Sequence, residues 1–157
     1  MLAEILRFVA TEERCAERTL SIGHLTGSAW IVDRYRRKTL LTHHRKLDKW
    51  LQLGGHADGE LDLLAVAWRE AREESGLLGV TPVSTEIFDV DRHLIGARGN
   101  EPEHWHYDLR FLFEADAEEP FVITKESKAL AWIELGRVPE LNAEESLLRM
   151  VRKMGKK

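Results

Sequence analysis

The stretch from residue 104 to residue 114 alternates between apolar and polar side chains, and this pattern constrains the fold more than any other. Successive side chains of a β-strand point to opposite faces of a sheet, whereas a helix would scatter the same pattern around its axis. The segment therefore predicts a strand with one apolar and one polar face. The apolar face carries Trp105, Tyr107, Leu109, Phe111 and Phe113, and the polar face carries His104, His106, Asp108, Arg110 and Glu114.

A second segment is as clearly helical. The sequence LLAVAWREAREES follows Asp62, whose side chain can accept a hydrogen bond from the first turn of a helix. It is followed by Gly76, a residue that readily adopts the left-handed conformation with which many helices end. The pattern predicts a helix over residues 63–75.

Weaker patterns indicate the rest of the fold. Helical spacing of apolar residues predicts helices over residues 2–18 and 142–154. Strands are predicted at 28–32, 39–42, 50–53, 80–90, 121–124 and 130–134, with the charged turn 33–38 joining the first two in a hairpin. Interleaved strands and helices of this kind predict the α/β class, with a mixed sheet covered by helices. No linker divides the chain, so we expect a single domain over residues 1–157.

The composition limits the partners of the chain. It has 23 Lys and Arg against 27 Asp and Glu, a net charge of −4, which argues against general nucleic-acid binding. Cys15 is the only cysteine, so no intrachain disulfide can form and a reducing compartment is favoured. The first residues include Glu4 and Arg7 and are too charged for a signal peptide or a membrane span. We expect a cytoplasmic protein that binds neither nucleic acid nor membrane, with a homodimer left open.

Three carboxylates of the predicted helix are candidates for metal binding. Glu70, Glu73 and Glu74 project within about a quarter to a third of the helix circumference, on the side of the apolar residues that face the protein body. Carboxylates that repel one another and lose water are unfavourable, and a hard cation such as Mg²⁺ or Mn²⁺ offsets that cost. The spacing alone leaves two interpretations open, a metal site and a surface ion-pair network.

The sequence around this helix resembles the Nudix box. Gly54-Gly55-His56-Ala57-Asp58-Gly59-Glu60 leads to Arg69-Glu70-Ala71-Arg72-Glu73-Glu74-Ser75-Gly76-Leu77, and the second half matches the family pattern at every defined position. The resemblance covers most of the chain, from about residue 24 onward. The first half departs from the pattern, because eight residues rather than seven separate Glu60 from Arg69. This indicates a one-residue insertion at 61–62 and puts the role of Glu60 in doubt.

The resemblance implies a Nudix-type α/β/α sandwich and a hydrolase that cleaves a diphosphate linkage by attack of water on phosphorus. In that family the matching glutamates bind Mg²⁺ or Mn²⁺, which makes Glu70, Glu73 and Glu74 the expected ligands. The matching arginine, here Arg69, orients one of these glutamates. Many members recruit a further catalytic carboxylate from outside the box, and Glu126 stands where such a residue often lies. The alternative for Glu126 is an ordinary surface glutamate.

Four of the seven histidines resemble the metal-binding pattern of isopentenyl diphosphate isomerase, a divergent enzyme of the same fold. They are His24, His56, His104 and His106. The resemblance implies a second metal site, for Zn²⁺ or Mn²⁺. Two alternatives stay open, namely contacts with substrate phosphate and ordinary polar residues satisfied by hydrogen bonds. Isomerase activity itself is disfavoured, because Gly54 stands at the position of that enzyme's catalytic cysteine.

The expected partner is a small-molecule diphosphate. Arg45 and Lys46 belong to a basic run that leads toward Gly54 and Gly55, so these four residues are candidates for binding the phosphates, with simple solvation as the alternative for the basic pair. The family's range includes nucleotide sugars, nucleoside triphosphates, dinucleoside polyphosphates and ADP-ribose, and no residue selects among them. A non-catalytic nucleotide-binding sensor of the Nudix fold and an isomerase-like enzyme are the other functions considered. Such sensors usually lack some of the acids that this chain retains.

Overall fold

The computed structural model describes residues 1–155. The helices are α1 (Leu2–Thr11), α2 (Leu63–Ser75), α3 (Val138–Leu141) and α4 (Glu145–Met154), with a 3₁₀ turn at Leu135–Arg137. The strands are β1 (Gly23–Asp33), β2 (Lys38–His44), β3 (Lys49–Leu51), β4 (Leu53–His56), β5 (Thr81–Pro82), β6 (Asp89–Ile95), β7 (His104–Ala115) and β8 (Ser127–Glu134). None of the helices within this range has the length and apolar character needed to cross a bilayer.

Strand β1 is the centre of an eight-stranded sheet, and all 11 of its residues are buried. It pairs in parallel with β7 along its whole length, from Gly23 opposite Trp105 to Asp33 opposite Ala115. On its other edge β1 pairs antiparallel with β4 and, next to the 34–37 turn, with β2. Antiparallel pairs add β5 and β6 to β7, and β3 and β8 to β2. The sheet is therefore mixed, as predicted.

Helices cover both faces of this sheet. Because side chains alternate along β1, Ala29 and Ile31 join one apolar cluster, whereas Trp30 and Val32 join the other. The first cluster contains the buried side chains of α1 and α2, and the second contains those of α3 and α4. Each fully buried aliphatic or aromatic side chain contributes about 1.5–3 kcal/mol. The two clusters give the α/β/α arrangement expected for the chain.

Helix α2 begins and ends as its sequence predicts. The Asp62 carboxylate accepts a hydrogen bond from the backbone N–H of Ala65 at 3.0 Å, which satisfies one of the free donors of the first turn. At the other end Gly76 adopts φ = 70°, and its N–H donates to the carbonyl of Arg72. Both ends are fixed by local chemistry, so the orientation of the glutamates on this helix is fixed as well.

Several predicted boundaries were wrong. Helix α1 ends at Thr11, not at residue 18, since its apolar spacing stops at Val9–Ala10 and residues 12–22 are irregular or in turns. No strand forms at 121–124 within the described chain, where Val122 instead donates its N–H to the carbonyl of Ser75 at 2.7 Å. The range 50–53 is divided between β3 and β4 at Gln52, and 80–90 is divided between β5 and β6. The last predicted helix, 142–154, begins later than expected, since α4 covers Glu145–Met154, and the short helix α3 that precedes it at Val138–Leu141 was not predicted.

The polar face of β7 is covered instead of lying in water. Asp108 and Arg110 are 1% and 2% exposed, because α4 packs over this face. Arg110 donates to the Asp108 carboxylate at 2.8 Å and to the carbonyl of Ser146 at 3.0 Å. The Asp89 carboxylate receives a further hydrogen bond, from Arg149 of α4 at 2.8 Å. A buried ion-pair network therefore joins α4 to the sheet.

Candidate active site and adjoining histidine cluster

The glutamates of α2 differ in burial. Glu70 and Glu74 face the protein body as expected, whereas Glu73 is exposed at the edge of the same group. Glu74 is only 8% exposed, and its Oε2 accepts a hydrogen bond from the N–H of Gly54 at 3.1 Å. Burial raises the pKa of Glu74 to about 8, helped by the charges of Glu70, Glu126 and Glu73 and opposed by the Gly54 hydrogen bond. Without a cation, this carboxyl therefore holds a proton at neutral pH.

Arg69 connects the helix to strand β4. Its Nη2 donates to Oε1 of Glu70 at 3.1 Å and to the carbonyl of His56 at 3.3 Å. Burial raises the pKa of Glu70, and the hydrogen bond and charge of Arg69 oppose that rise. Strand β4 must approach Glu70 closely, because a Cβ atom on Gly55 would lie 2.4 Å from the Glu70 Cδ. A glycine at position 55 is thus needed for this packing.

Glu126 lies in the turn that precedes β8, and its negative charge raises the pKa of both Glu70 and Glu74. The fold thus brings it within electrostatic reach of α2, although 52 residues separate it from Glu74 in the sequence. Arg45 supports this turn. Its backbone N–H donates to the Glu126 carbonyl at 2.8 Å, and its guanidinium donates to the carbonyls of Lys125 and Ser127 at 2.9 and 3.1 Å.

Positive charge collects around His44, at the end of β2. Burial lowers the pKa of His44, the charges of Lys46 and Arg98 lower it further, and Glu126 raises it. The Lys46 carbonyl accepts a hydrogen bond from Nη2 of Arg98 at 3.0 Å. Lys46 and Arg98 are both exposed, and both lie within electrostatic reach of His44, on which the charge of Glu126 also acts. The predicted basic residue Lys46 therefore lies close to the predicted carboxylate Glu126.

The four singled-out histidines come together at one end of the sheet. His24 of β1 lies opposite His106 of β7 in the parallel pair, and His56 ends the neighbouring strand β4. Ring nitrogens of these three residues lie within 4.8 Å of one another, a spacing suited to one metal ion. His104 adjoins them, with its Nε2 3.2 Å from the Nε2 of His106. Strand pairing between β1, β4 and β7 thus creates the cluster.

The chemistry of this cluster favours a cation as its partner. His24 is 3% exposed, and neither of its ring nitrogens has a hydrogen-bond partner among residues 1–155. Burial, with the charges of neighbouring histidines, lowers the pKa of His24 to about 4 and that of His106 to about 2. The rings are therefore neutral at pH 7 and present lone pairs, which is the form in which imidazole binds Zn²⁺ or Mn²⁺. The alternative of polar residues satisfied by hydrogen bonds does not hold for His24.

Two features near the site carry no signal in the sequence. Arg18 binds both oxygens of Asp58 at 2.5 and 2.6 Å, beside His56, whose pKa both of these charges influence. Arg98 stands in the connection between β6 and β7, far along the chain from Lys46. Glu60, in contrast, is exposed, and its side chain accepts a hydrogen bond from the N–H of Asp62 at 2.8 Å in the loop before α2.

Comparison with known proteins matches residues 24–154 to the family model described as the NUDIX domain. Similar solved structures include a C. elegans Ap4A hydrolase in a binary complex, with 17% identity, a TM-score of 0.66, and coverage of 83% of this chain and 94% of that chain. A NUDIX-family hydrolase from Clostridium perfringens has 25% identity and a TM-score of 0.61, covering 84% and 96% of the two chains.

The NUDIX domain of Shewanella oneidensis NrtR, crystallised with ADP ribose, has 14% identity, a TM-score of 0.60, and coverage of 96% of each chain. No curated protein matches the sequence. At 14% and 17% identity, the NrtR and C. elegans structures establish the fold alone.

Proposed function

Since the chain belongs to the NUDIX domain family and is a pyrophosphohydrolase, we propose that it hydrolyses the diphosphate linkage of a nucleoside diphosphate derivative with the help of a divalent cation. The observation that carries this proposal is the buried Glu74 carboxyl, held by Gly54 beside two further acids of α2 and Glu126. Four acids of this kind, one of them protonated at neutral pH without a cation, form a set that Mg²⁺ or Mn²⁺ stabilises.

The donor set fits a hard cation. Glu70, Glu73 and Glu74 would hold Mg²⁺ or Mn²⁺, since carboxylate oxygens are the ligands that these ions prefer. Such an ion polarises phosphate oxygens and lowers the pKa of water. Arg69 keeps Glu70 pointed at the site by bonding its Oε1, and the Gly54 N–H does the same for Glu74. These contacts leave the second carboxylate oxygen of each residue available.

Other residues of the candidate site have two roles, which are proton transfer and substrate binding. Glu126 is the candidate general base, which accepts a proton from the attacking water. As the proton leaves, the water oxygen bonds to phosphorus and the bond between phosphorus and the leaving phosphate oxygen breaks. Arg45 positions Glu126 through the turn that it supports. Lys46, together with the backbone at Gly54 and Gly55, is the candidate for binding phosphate oxygens. A nucleotide sugar, a nucleoside triphosphate, a dinucleoside polyphosphate and ADP-ribose all contain the required linkage.

We also propose a second metal ion, Zn²⁺ or Mn²⁺, at the histidines. His24, His56 and His106 supply three ligands, and His104 supplies a fourth. Support comes from the two unpartnered nitrogens of the buried His24. Elemental analysis of the purified protein tests this site, and we expect the His56→Ala, His106→Ala double variant to lose the ion. As a matched control, His43→Ala removes a histidine that is paired with Asp48 outside the cluster and retains the metal.

The hydrolysis is tested by a product-release screen over ADP-ribose, a nucleotide sugar, a nucleoside triphosphate and a dinucleoside tetraphosphate, each with Mg²⁺ or Mn²⁺. We expect Glu126→Gln to lower kcat by about 10²–10⁴-fold, as loss of a general base does. Glu60→Gln changes an exposed acid outside the site and keeps full activity. When the reaction is run in H₂¹⁸O, we expect ¹⁸O in a phosphate group of one product, because water attacks phosphorus.

Inactivity over the whole panel with every metal would contradict the proposal and favour a binding domain that senses a nucleotide. A cytoplasmic location, which the lone free Cys15 favours, and a homodimer stay predictions.

A further inference from the structure

The connection between β6 and β7 carries a small hairpin, residues 98–101, that reaches across the end of the sheet. Arg98 and Glu101 exchange both backbone hydrogen bonds at 2.9 Å, and Gly99 adopts φ = 57° in the turn between them. The Arg98 guanidinium donates to the carbonyl of Lys46 at 3.0 Å, a contact between residues 52 apart in sequence. One arginine thus links the β6–β7 connection to the β2–β3 connection.

The ends of the strands that carry the candidate site lie between the β6–β7 and β2–β3 connections. Strand β7 lies on one edge of β1, whereas β4 and β2 lie on the other. The hairpin leaves the sheet where β7 begins, which is also the end of β1 at which His24 lies. His56 ends β4 and His44 ends β2 in the same region, since both strands run antiparallel to β1. The β6–β7 connection, from which Arg98 reaches Lys46, therefore spans the ends of the strands that carry His24, His56 and His106.

The charged residues at the two ends of the hairpin, Arg98 and Glu101, act on different groups. The charge of Glu101 acts on His56 and on Arg18, at the side of the histidine cluster. The charge of Arg98 acts on His44, which Glu126 also faces. Arg98 therefore adds positive charge, with Lys46, near His44 and Glu126, and Glu126 in turn lies within electrostatic reach of Glu70 and Glu74.

A guanidinium in this place matches what a diphosphate requires. Its planar fork of five N–H donors suits phosphate oxygens better than any other side chain. Within residues 1–155, the bond to the Lys46 carbonyl is the only hydrogen bond of the Arg98 guanidinium, so four donors stay free for a ligand. The side chain is also exposed, which spares it the cost of desolvation before a ligand arrives.

We propose that Arg98 is a substrate-binding residue, which binds a phosphate oxygen of the diphosphate from the side opposite α2. This inference rests on the proposed function, because it takes the diphosphate to lie between the α2 carboxylates and the basic residues. The bond to the Lys46 carbonyl then has a second role, since it fixes the position of the guanidinium before substrate binds.

The test is equilibrium binding of inorganic pyrophosphate with Mg²⁺ by calorimetry, alongside kcat and KM for a substrate found in the screen. We expect Arg98→Ala to weaken pyrophosphate binding and to raise KM by about tenfold or more, as loss of a charge-assisted hydrogen bond does, with a much smaller change in kcat. Arg98→Lys recovers part of the affinity. Arg34→Ala is the matched control, because it removes an exposed arginine that bonds only its neighbour Tyr35 within the described chain.

Arg98→Gln separates binding from support of the hairpin. The glutamine amide can still donate to the Lys46 carbonyl but carries no charge, so we expect it to bind pyrophosphate as weakly as the alanine variant. Wild-type affinity in Arg98→Gln, or in Arg98→Ala, would overturn this inference and leave the proposed hydrolysis intact. A wild-type protein that neither binds pyrophosphate nor hydrolyses any diphosphate would overturn both.

Discussion

In metal-free protein, the free energy of unfolding of the wild type should fall relative to that of Glu74→Gln as the pH rises from 6.5 to 8. The Glu74 pKa is about 8 in the folded chain against 4.5 for the free side chain. Between these values the folded state binds a proton that the unfolded state has lost. Raising the pH therefore favours the unfolded state. Gln has nearly the same shape, accepts the Gly54 hydrogen bond and does not ionise.

The magnitude follows from the two pKa values. Linkage gives a loss of about 1.4 kcal/mol per pH unit well below the folded pKa and about 1.6 kcal/mol over the whole interval from pH 6.5 to 8. The histidines act in the opposite direction over the lower part of this interval. His24 and His106 have lowered pKa values when folded, so each makes stability rise by about 0.4 kcal/mol as its half-protonated unfolded form loses its proton above pH 6.5, and the lowered pKa values of His44 and His56 act in the same direction. Because Glu74→Gln retains all four histidines, the difference between the wild type and this variant isolates the effect of Glu74.

The assay is urea denaturation in excess chelator, at steps of half a pH unit, for the wild type, Glu74→Gln and the exposed control Glu60→Gln. The control should retain the wild-type slope. Added Mg²⁺ should stabilise the wild type more at pH 8 than at pH 6.5, because at low pH the cation must displace a proton. A Glu74→Gln protein with the same pH dependence as the wild type would refute the reasoning, since Glu74 could not then be the protonated buried acid.

Three other changes have expected outcomes. Gly55→Ala should weaken Mn²⁺ binding, measured by electron paramagnetic resonance, because its Cβ would lie 2.4 Å from the Glu70 Cδ; Gly96→Ala meets no atom within 4 Å and should bind Mn²⁺ normally. Arg110→Met should lower the unfolding free energy in urea by about 3–5 kcal/mol, since it leaves the buried Asp108 carboxylate without a counter-charge, whereas Asp89 keeps Arg149 and Lys153; an unchanged midpoint would contradict this. Asp62→Ala should lower that free energy by about 0.5–2 kcal/mol, as loss of a helix cap does, and an unchanged value would show that the cap contributes nothing.

The parts of the structure that depend on local chemistry were predictable from the sequence. Helix α2 is bounded by its own cap at Asp62 and its own glycine at Gly76, so neither end depends on distant residues. The alternation in β7 likewise identified which side chains share a face. It did not show that the polar face is covered, because the covering residue Met150, whose Sδ lies 3.9 Å from Nη1 of Arg110, belongs to a helix some 40 residues later in the chain. Periodicity assigns side chains to faces but does not tell which face another element will cover.

The candidate site was predictable only where a motif fixes it. The box identified the α2 acids, and the histidine resemblance identified the four ring systems. Their proximity depends on the parallel register of β1 and β7, which spacing in the sequence does not determine. The connection from Arg98 to Lys46 was also beyond sequence reasoning, because a backbone carbonyl has no residue-type signature. Exposure of Glu73 beside the buried Glu74 likewise depends on the exact rotation of the helix.

The parallel pairing of β1 with β7 also has a consequence for how the chain folds. Thr26 and Asp108, joined by a hydrogen bond at 2.9 Å, are separated by 82 residues. Closing so long a loop loses chain entropy before any contact compensates, so pairing of this kind slows folding. During synthesis β1 leaves the ribosome well before its partner strand exists. Until then, the apolar residues of β1 have only the earlier elements, such as β4 and α2, to pack against. The histidine cluster can form only after about two thirds of the chain has been made, because His104 and His106 lie on β7.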